Sequence, residues 1–408
     1  MKTVWIINQY GSLPSDGLGG RHRHLSRELA KAGYNVTLVA SRWTHLTTND
    51  AVSKDAPVMQ KFEGFIFYRL PYIKYSHAHD KKRILNWFYF TWNILGIGRR
   101  LQQKPDIILY SSPSLIGYLS AYRLARKYKS KLIFEVRDIW PLTLTQLGAL
   151  SHRHPFILFM QWIEDFAYKK SDFVISNLEG AIEHMKKRGL PAEKFAWLPN
   201  GYSEDELGNM EAADDKILRS IKQQPFSVTY AGAIGEANSL KTLVETASLL
   251  KNNGIHFNIV GSGHLKGNLE KRVEQLGLAN VHFWGVVSKI QVQSVLQVSD
   301  ACVICWKESM LYEHGVAANK LFDYLYSGKP VINAYSGGYD IIQRYKAGIT
   351  VNAEDPELLA SAIASLRQGS DVVRKNMGLN GKAMVRSNHE YAHVSLKLID
   401  VIERVFNT

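Results

Sequence analysis

Short apolar runs alternate with amphipathic segments along the whole chain of 408 residues. Runs of this kind between turn residues are typical of buried strands, and the segments between them have helical spacing. The alternation predicts parallel sheets covered by helices, an α/β fold of the doubly wound, Rossmann-like type. The predicted strands of the first half are Val4–Asn8, Asn35–Ser41, Phe65–Leu70, Asp106–Ser112, Lys131–Val136 and Asp172–Asn177. Those of the second half are Ser227–Gly232, His256–Gly261, Val281–Gly285, Ala301–Trp306 and Pro330–Ala334.

The length of the chain and one turn signal predict two domains. A chain of 408 residues exceeds the usual size of a single domain. Pro199-Asn200-Gly201 is a turn signal, and polar, acidic residues follow it. We therefore expect one Rossmann-like domain over residues 1–198 and a second over residues 199–390. A last helix is predicted within residues 391–408, and the sequence leaves open whether it returns to the first domain.

The net positive charge of the chain lies in its first half. Residues 1–198 contain 29 Lys+Arg and 15 Asp+Glu, whereas residues 199–408 contain 21 and 22. A basic half-molecule suggests an anionic membrane surface, an acidic lipid or a nucleic acid as partner. A solvated basic face without a partner is the plainer alternative.

One apolar segment bears on membrane association. Residues 84–98, ILNWFYFTWNILGIG, fall short of the roughly 20 apolar residues that a spanning helix needs. Basic residues flank the segment, and its tryptophans and tyrosine favour the headgroup level. It is either a helix that lies in the membrane interface or a core helix of the first domain. The N-terminus predicts a first strand rather than a signal peptide. We expect a cytoplasmic protein at the inner face of the membrane.

The cysteines and histidines predict neither a redox pair nor a metal site. Cys302 and Cys305 lie inside a predicted buried strand, where they should point to opposite faces and pack in the core. The histidine pairs are spaced two apart, which does not align ligands on a helix. We expect no metal and no cofactor.

Residues 319–333, NKLFDYLYSGKPVIN, predict a helix that presents its N-terminus to a ligand. Gly328 is a left-handed cap, and Pro330 prevents the helix from continuing. Small side chains precede the helix, so the N–H groups of its first turn are accessible to a phosphate. Lys320 would neutralise a diphosphate, and Asp323 would bind ribose hydroxyls. The residues expected to form this end are Val316, Ala317, Ala318, Asn319, Lys320 and Asp323.

Glycines follow several of the predicted strands, at the edge where doubly wound folds bind ligands. In the first half, Gly19 and Gly20 precede a helix that begins with Arg21, and we expect them to approach a diphosphate. A flexible turn is the alternative, because tight turns require glycine anyway. The corresponding residues of the second half, assigned to donor binding, are Gly232, Gly235, Asn238, Gly261, Gly263, Gly285 and Val286.

The chain resembles the retaining glycosyltransferases of family 4, also called group 1, over nearly its whole length. The resemblance rests on GLGGRHRHLSRELAKAGYNVTLV, LPNGYSEDEL, NIVGSGHLKGNLE with NVHFWGVV, and GVAANKLFDYLYSGKPVIN. EVRDIWP and NKLFDYL are similar to the branch that builds bacterial O-antigen and capsule chains. The resemblance implies two Rossmann-like domains facing across a cleft (GT-B). It also implies a nucleotide-sugar donor on the second domain, a polyprenyl-diphosphate-linked glycan acceptor on the first and no metal. We expect the donor to be UDP-linked.

The sequence departs from the family pattern at three places. The usual pair of glutamates is reduced to Asp323, with Gly315 where the first glutamate would fall. Ala233 and Asn238 stand near the positions of a usual basic pair. Where the family often has a histidine, this chain has Arg137 and Asp138.

The resemblance implies catalysis by stabilising the departing nucleoside diphosphate. Lys320 and the neighbouring amides would stabilise its charge in a dry cleft. Asp138, beside Arg137, would orient the acceptor hydroxyl or stabilise positive charge on the sugar ring. A helix cap is the structural alternative for Asp138, and a surface lysine is the alternative for Lys320.

Three other functions fit parts of the sequence. A nucleotide-sugar 2-epimerase would share the architecture and need no acceptor. A nucleic-acid-binding protein would use the basic half, although no recognised nucleic-acid motif is present. A glycosidase fits least, because no carboxylate pair can be placed at a defined separation. The identity of the sugar, the base, the acceptor and the linkage, and the oligomeric state, stay open.

Overall fold

The computed structural model describes residues 1–16, 20–47, 57–75, 80, 82–146 and 150–407. These residues form two compact units. The first unit comprises Met1–Asn200 together with Tyr391–Thr408, and the second comprises Gly201–Glu390. The last helix therefore belongs to the first unit.

The first unit is built on a sheet with the strand order β3-β4-β2-β1-β5-β6-β7-β8. All neighbouring strands are parallel except β3 and β4, which form an antiparallel pair at one edge. The strands are β1 (Thr3–Asn8), β2 (Asn35–Ser41), β3 (Met59–Phe62), β4 (Phe65–Leu70), β5 (Ile107–Ser111), β6 (Lys131–Val136), β7 (Phe173–Ser176) and β8 (Phe195–Trp197).

Helices cover both faces of this sheet because its central strands are apolar on both sides. In β1, Val4 and Ile6 join one core cluster, and Trp5 and Ile7 join the other. The first cluster is covered by α1 (Arg21–Lys31) and α17 (Tyr391–Asn407). The second is covered by α2 (Lys82–Ile94), α3 (Ile97–Leu101), α4 (Ile116–Tyr128), α6 (Pro155–Lys170) and α7 (Ala181–Lys187). A short helix, α5 (Leu142–Gln146), follows β6.

The second unit has a smaller sheet with the order β11-β10-β9-β12-β13-β14, and all its pairings are parallel. The strands are β9 (Ser227–Ala231), β10 (His256–Val260), β11 (Val281–Gly285), β12 (Ala301–Cys305), β13 (Val331–Ala334) and β14 (Gly348–Val351). One face is covered by α10 (Leu240–Leu249), α11 (Lys266–Gln275) and α15 (Pro356–Gln368). The other is covered by α8 (Glu204–Gly208), α9 (Asp215–Lys222), α12 (Lys289–Val298), α13 (Asn319–Ser327), α14 (Ile341–Arg344) and α16 (Asp371–Asn388).

The fold confirms the predicted pair of Rossmann-like α/β units. The two cysteines confirm the predicted alternation of a buried strand, because Cys302 belongs to one core cluster of the second unit and Cys305 to the other. Three short strands, β3, β8 and β14, and the long helix α16 were not predicted.

Residues 84–98 form α2 and the start of α3, and α2 packs one of its faces into the core. Within the described part of the chain, no helix combines the length and apolarity that crossing a membrane requires.

The C-terminal helix offers a direct test of this division of the chain. Leu398 is fully buried in the core of the first unit, whereas Leu396 on the same helix is 62% exposed. We expect Leu398→Ala to lower the free energy of unfolding by about 2–5 kcal/mol, because it leaves a cavity in the core. Leu396→Ala should change it by less than about 0.5 kcal/mol. Urea unfolding followed by circular dichroism measures both, and equal effects would contradict the packing of α17.

Candidate functional site

The centre of the candidate site is the side chain of Lys320, in the first turn of α13. Its ammonium donates a hydrogen bond to the Tyr230 hydroxyl at 3.0 Å and another to the side-chain carbonyl of Asn238. It also lies 4.7 Å from the centre of the Tyr230 ring and 5.7 Å from that of Trp306. The structure thus brings together Lys320 and Asn238, two predicted donor-binding residues. Tyr230 and Trp306 are new members of the site.

Lys320 is a cation that the protein surrounds with neutral partners. Among the described residues no carboxylate forms an ion pair with it. Desolvation lowers its pKa to about 8. A desolvated ammonium without a counter-charge is unfavourable by itself and is stabilised by an anion placed beside it. The surface-lysine alternative does not fit this environment.

The start of α13 adds a second attraction for an anion. Ala318 is the extended residue before the helix, and no side chain caps the helix there. Such an end carries partial positive charge. At the other end, Gly328 adopts the predicted left-handed conformation, with a φ of 74°. Val316, Ala317 and Ala318 form the segment directly before the helix, and Asn319 is its first residue.

Asp323, one turn further along α13, faces a different neighbour. Its two carboxylate oxygens lie 2.6 and 2.5 Å from the ammonium of Lys289 on α12. Its main-chain carbonyl accepts a hydrogen bond from the side chain of Gln293 at 2.8 Å. The ion pair fixes the carboxylate, which has further lone pairs for other donors. Its contact with a ribose stays a prediction.

The glycines after β9 and β10 pack two loops together. A Cβ on Gly261 would lie 1.9 Å from the carbonyl oxygen of Gly232, and one on Gly263 would lie 2.1 Å from that of Ile234. The N–H of Gly232 donates to Val260, and the N–H of Gly261 donates to Gly285. The N–H groups of Gly232 and Gly261 are therefore already hydrogen-bonded, and the part of these two glycines in donor binding stays a prediction.

Gly232 nevertheless borders the site through its missing side chain. A Cβ there would lie 3.5 Å from the Nζ of Lys320. Gly235, Gly285 and Val286 lie in or beside the neighbouring loops, and Val286 is 72% exposed. The structure records no contact between these three residues and Lys320, so their part in donor binding stays a prediction.

The first unit corrects the role predicted for Arg21. Its guanidinium is buried, and Nε lies 2.8 Å from Glu135 of β6. The remaining nitrogens donate to the main-chain carbonyls of Leu198 and Pro199 and to the side chain of Asn200. Arg21 therefore ties α1 to β6 and to residues 198–200, and its ion pair and hydrogen bonds are made within the first unit rather than to a diphosphate. Gly20 is the residue before α1, and Gly19 lies outside the described residues.

Glu135 is the buried charge that sequence reasoning missed. Besides Arg21 it contacts Nε2 of His22 at 2.7 Å, and His22 also lies 3.0 Å from the hydroxyl of Ser111. Burial alone would raise the pKa of Glu135, but Arg21 and His22 hold it well below its usual value. Burial lowers the pKa of His22 in spite of this carboxylate. A glutamate within an apolar strand, as in KLIFEV, is the sequence signal for a buried charge that needs a partner.

The next two residues after β6 are the predicted catalytic pair. The main-chain N–H of Arg137 donates to the hydroxyl of Ser112 at 2.9 Å, and its Nε is buried without a hydrogen-bond partner in the described structure. Asp138 lies at a position open to solvent, yet desolvation raises its pKa against the opposing effect of Arg137. Both stand at the carboxyl end of the strand, where they were expected. Their catalytic roles stay predictions.

Replacing Lys320 by methionine should stabilise the ligand-free protein. The folded pKa of about 8 lies below the 10.5 of an ordinary lysine, so the charged form opposes folding at neutral pH. We expect Lys320→Met to raise the free energy of unfolding by about 1–2 kcal/mol at pH 7, an advantage that shrinks as the pH rises from 8 to 10.5. Urea unfolding across that pH range measures it. Lys307→Met, at an exposed position, is the control, and a destabilised Lys320→Met would contradict the description of this site.

Replacing Glu135 by glutamine should have the opposite effect. The substitution leaves Arg21 buried without its counter-charge, and we expect a loss of about 3–5 kcal/mol in unfolding free energy. Glu183→Gln removes one partner of an exposed pair with Lys186 and should cost less than about 0.5 kcal/mol. A similar small loss for both variants in urea unfolding would show that the buried network is not needed for stability.

Comparisons with known proteins agree with the fold and with the resemblance. A family model described as "Glycosyl transferases group 1" matches residues 225–368, and one described as "Glycosyltransferase Family 4" matches residues 16–206. A curated relative, WcaI of Escherichia coli K12, is named as a glycosyl transferase of colanic acid biosynthesis. It is 30% identical over 199 residues. That alignment covers 47% of this chain and 47% of WcaI, so the chain spans about half the length of this relative.

Two solved structures are similar over nearly the whole chain. Sucrose-phosphate synthase from Thermosynechococcus elongatus has a TM-score of 0.77 at 16% identity, with all of both chains covered. HepE of Anabaena, solved in complex with UDP and glucose, has a TM-score of 0.69 at 12% identity, with 99% of this chain and 100% of HepE covered. Identities this low establish the fold alone. The two family models match glycosyltransferase domains of group 1 and of family 4 in separate parts of the chain, and the solved structures agree with a GT-B fold.

Proposed function

We propose that the protein is a retaining, metal-independent glycosyltransferase. It takes a sugar from a UDP-linked donor and adds it to a glycan carried on a polyprenyl diphosphate, in the synthesis of a surface polysaccharide such as O-antigen or capsule. The observation that carries the proposal is the Lys320 ammonium, which the second unit desolvates and surrounds with neutral groups. The name of WcaI, a transferase of colanic acid biosynthesis, supports this process.

A nucleoside diphosphate fits the site around Lys320 for two reasons. The ammonium and the uncapped start of α13 both favour negative charge, and they stand next to each other in sequence. The HepE structures contain UDP, which supports uridine as the base of the donor. When the sugar leaves, the diphosphate gains charge, and a positioned cation lowers the energy of that state more than it lowers that of the bound donor.

The first unit would bind the acceptor. Arg137 offers a buried nitrogen without a hydrogen-bond partner in the described structure, which suits an acceptor oxygen or phosphate. Asp138 would orient the attacking hydroxyl or stabilise the cationic sugar ring. Desolvation raises the pKa of Asp138, and Arg137 beside it favours the charged carboxylate.

We place the protein at the cytoplasmic face of an anionic membrane. The net positive charge of the chain lies in the first 198 positions, and the acceptor we propose is anchored in a membrane. Attraction to anionic lipids would hold the first unit close to that acceptor.

The binding of UDP tests the role of Lys320 through its pH dependence. Below about pH 8 the lysine is protonated and attracts the diphosphate, and above that pH it loses its charge. We expect the affinity for UDP to fall as the pH rises from 7.5 to 9.5, by at most about tenfold per pH unit. Calorimetry at several pH values measures this.

Two variants separate charge from shape in that experiment. Lys320→Met should bind UDP weakly and without this pH dependence, while Lys320→Arg keeps a charge over the whole range. Thermal-shift screening of UDP and GDP identifies the base. Strong, pH-independent binding of UDP by Lys320→Met would refute the proposed site.

Product analysis with donor and lipid-linked acceptor then tests the reaction. Lys320→Ala should abolish turnover while the protein stays folded. Formation of an epimeric donor without any acceptor would identify a 2-epimerase instead.

A further inference from the structure

The first unit exposes a set of aromatic side chains on two helices that both pack against α4. Among the described residues, every exposed tryptophan and phenylalanine lies on α2 or α6: Phe88, Trp92, Phe159 and Trp162. Trp92 is 75% exposed and Trp162 is 53% exposed. Ile84, Leu85, Tyr89 and Leu158 on the same two helices are also exposed. Soluble surfaces seldom group large apolar side chains in this way without a binding partner.

These side chains lie on the outer side of one layer of helices, formed by α2, α4 and α6. Both α2 and α6 pack against α4, and the inward faces of all three helices join one core cluster. On α6, Phe159 stacks on Trp162, and Trp162 stacks on Phe166. The stacking holds the aromatic rings in place on the outer side of the layer, so the surface is already formed before a partner arrives.

The same layer is basic, and the acidic side chains on the described residues of its helices have partners. Between positions 81 and 134 there are 11 Lys+Arg and a single acidic residue, Asp106. The two acidic side chains of α6 have partners: Glu164 contacts Tyr168 and His184, and Asp165 contacts Arg188.

A basic cavity lies beside Trp92. It has a volume of about 910 Å³ and is lined by α2, α3 and α4, with cations contributed by Arg99, Arg100, Arg123 and Lys127. None of these four forms a hydrogen bond or an ion pair with another described residue. The described residues that line the cavity include no acidic side chain. Four like charges around one opening repel one another and favour an anion between them.

We propose that the outer face of α2, α4 and α6 docks on an anionic lipid bilayer. The aromatic side chains enter the headgroup level, and the cavity beside Trp92 receives lipid phosphates. This inference rests on the membrane location proposed above and states which surface of the first unit contacts the membrane. Charge complementarity selects the occupant, because a basic cavity next to exposed tryptophans fits phosphate groups beside acyl chains.

The phosphates in the cavity are distinct from those of the reacting substrates. The cavity lies at the ends of α3 and α4 that lead into β5 and β6, so it is at the amino ends of those strands. Arg137 and Asp138 stand at the carboxyl end of β6. The cavity therefore holds the unit on the membrane and takes no part in the reaction.

Vesicle flotation tests the proposal with matched variants of the full chain. Wild type should bind equimolar phosphatidylcholine and phosphatidylglycerol vesicles more than about tenfold better than phosphatidylcholine alone. Arg99→Gln with Arg123→Gln should lose about tenfold in binding to the mixed vesicles. Lys222→Gln with Lys251→Gln, which removes the same charge from the second unit, should lose less than about twofold. Trp92→Gln should weaken binding, whereas Leu396→Gln, on α17 and 62% exposed, should not.

Several outcomes would overturn the proposal. Equal losses for the two charge pairs would mean that net charge alone drives binding. Equal losses for Trp92→Gln and Leu396→Gln would exclude the aromatic face. Displacement from vesicles by millimolar inorganic phosphate would identify a site for free phosphate, and concentration-dependent dimerisation abolished by Trp92→Gln would identify a second copy as the occupant. Binding of UDP is measured in the same variants, so that a failure of the donor site is told apart from a failure of the membrane surface.

Discussion

The ammonium of Lys320 is the constraint around which the second unit is organised. It is taken partly out of water, yet its hydrogen-bond partners, Tyr230 and Asn238, carry no charge. Gly232 leaves room beside it, and Trp306 adds an aromatic face. A protein selected only for stability would neutralise such a cation with a carboxylate. The arrangement keeps the positive charge available to a ligand at some expense in folding free energy.

In the first unit, by contrast, the buried charge is neutralised by its neighbours. Glu135 is enclosed completely, and Arg21 and His22 both contact it. The carboxylate is thereby kept ionised and is not available to a ligand. This network joins β6 to α1 at the edge where Arg137 and Asp138 emerge, so it positions the loop that carries them. The first unit thus uses its buried ion pairs to stabilise the fold, whereas the second unit keeps the charge of Lys320 available to a ligand.

The sequence predicted the strands that are buried on both faces, because these read as continuous apolar runs. It missed β3, whose residues alternate between exposed and partly buried, and β14, which is only partly buried. It missed α16 because only Gly378, Gly381 and Val385 of that helix are buried, so no apolar stripe marks it.

For a related reason, the sequence identified some residues of the site and missed others. Lys320 and Asn238 stood out by residue type and local pattern, whereas Tyr230 is 90 positions from Lys320 in the chain. Arg21 was misassigned because its partner Glu135 is 114 positions away. A basic residue at the start of a helix looks the same in sequence whether it binds a ligand or forms an ion pair with a distant carboxylate. Local patterns therefore identify candidate charges, and only the tertiary fold decides which of them stay open.

The helix α17 makes the first unit discontinuous along the chain. Its buried residues complete a core cluster whose other members come from the first 200 positions. During synthesis the second unit, which is continuous, has all its residues before that core can close. The first unit must therefore wait, with one side of its sheet incompletely covered, until the last helix leaves the ribosome. Removal of α17 would consequently damage the domain that contains β1, and a fragment ending near position 200 would expose apolar surface and tend to aggregate.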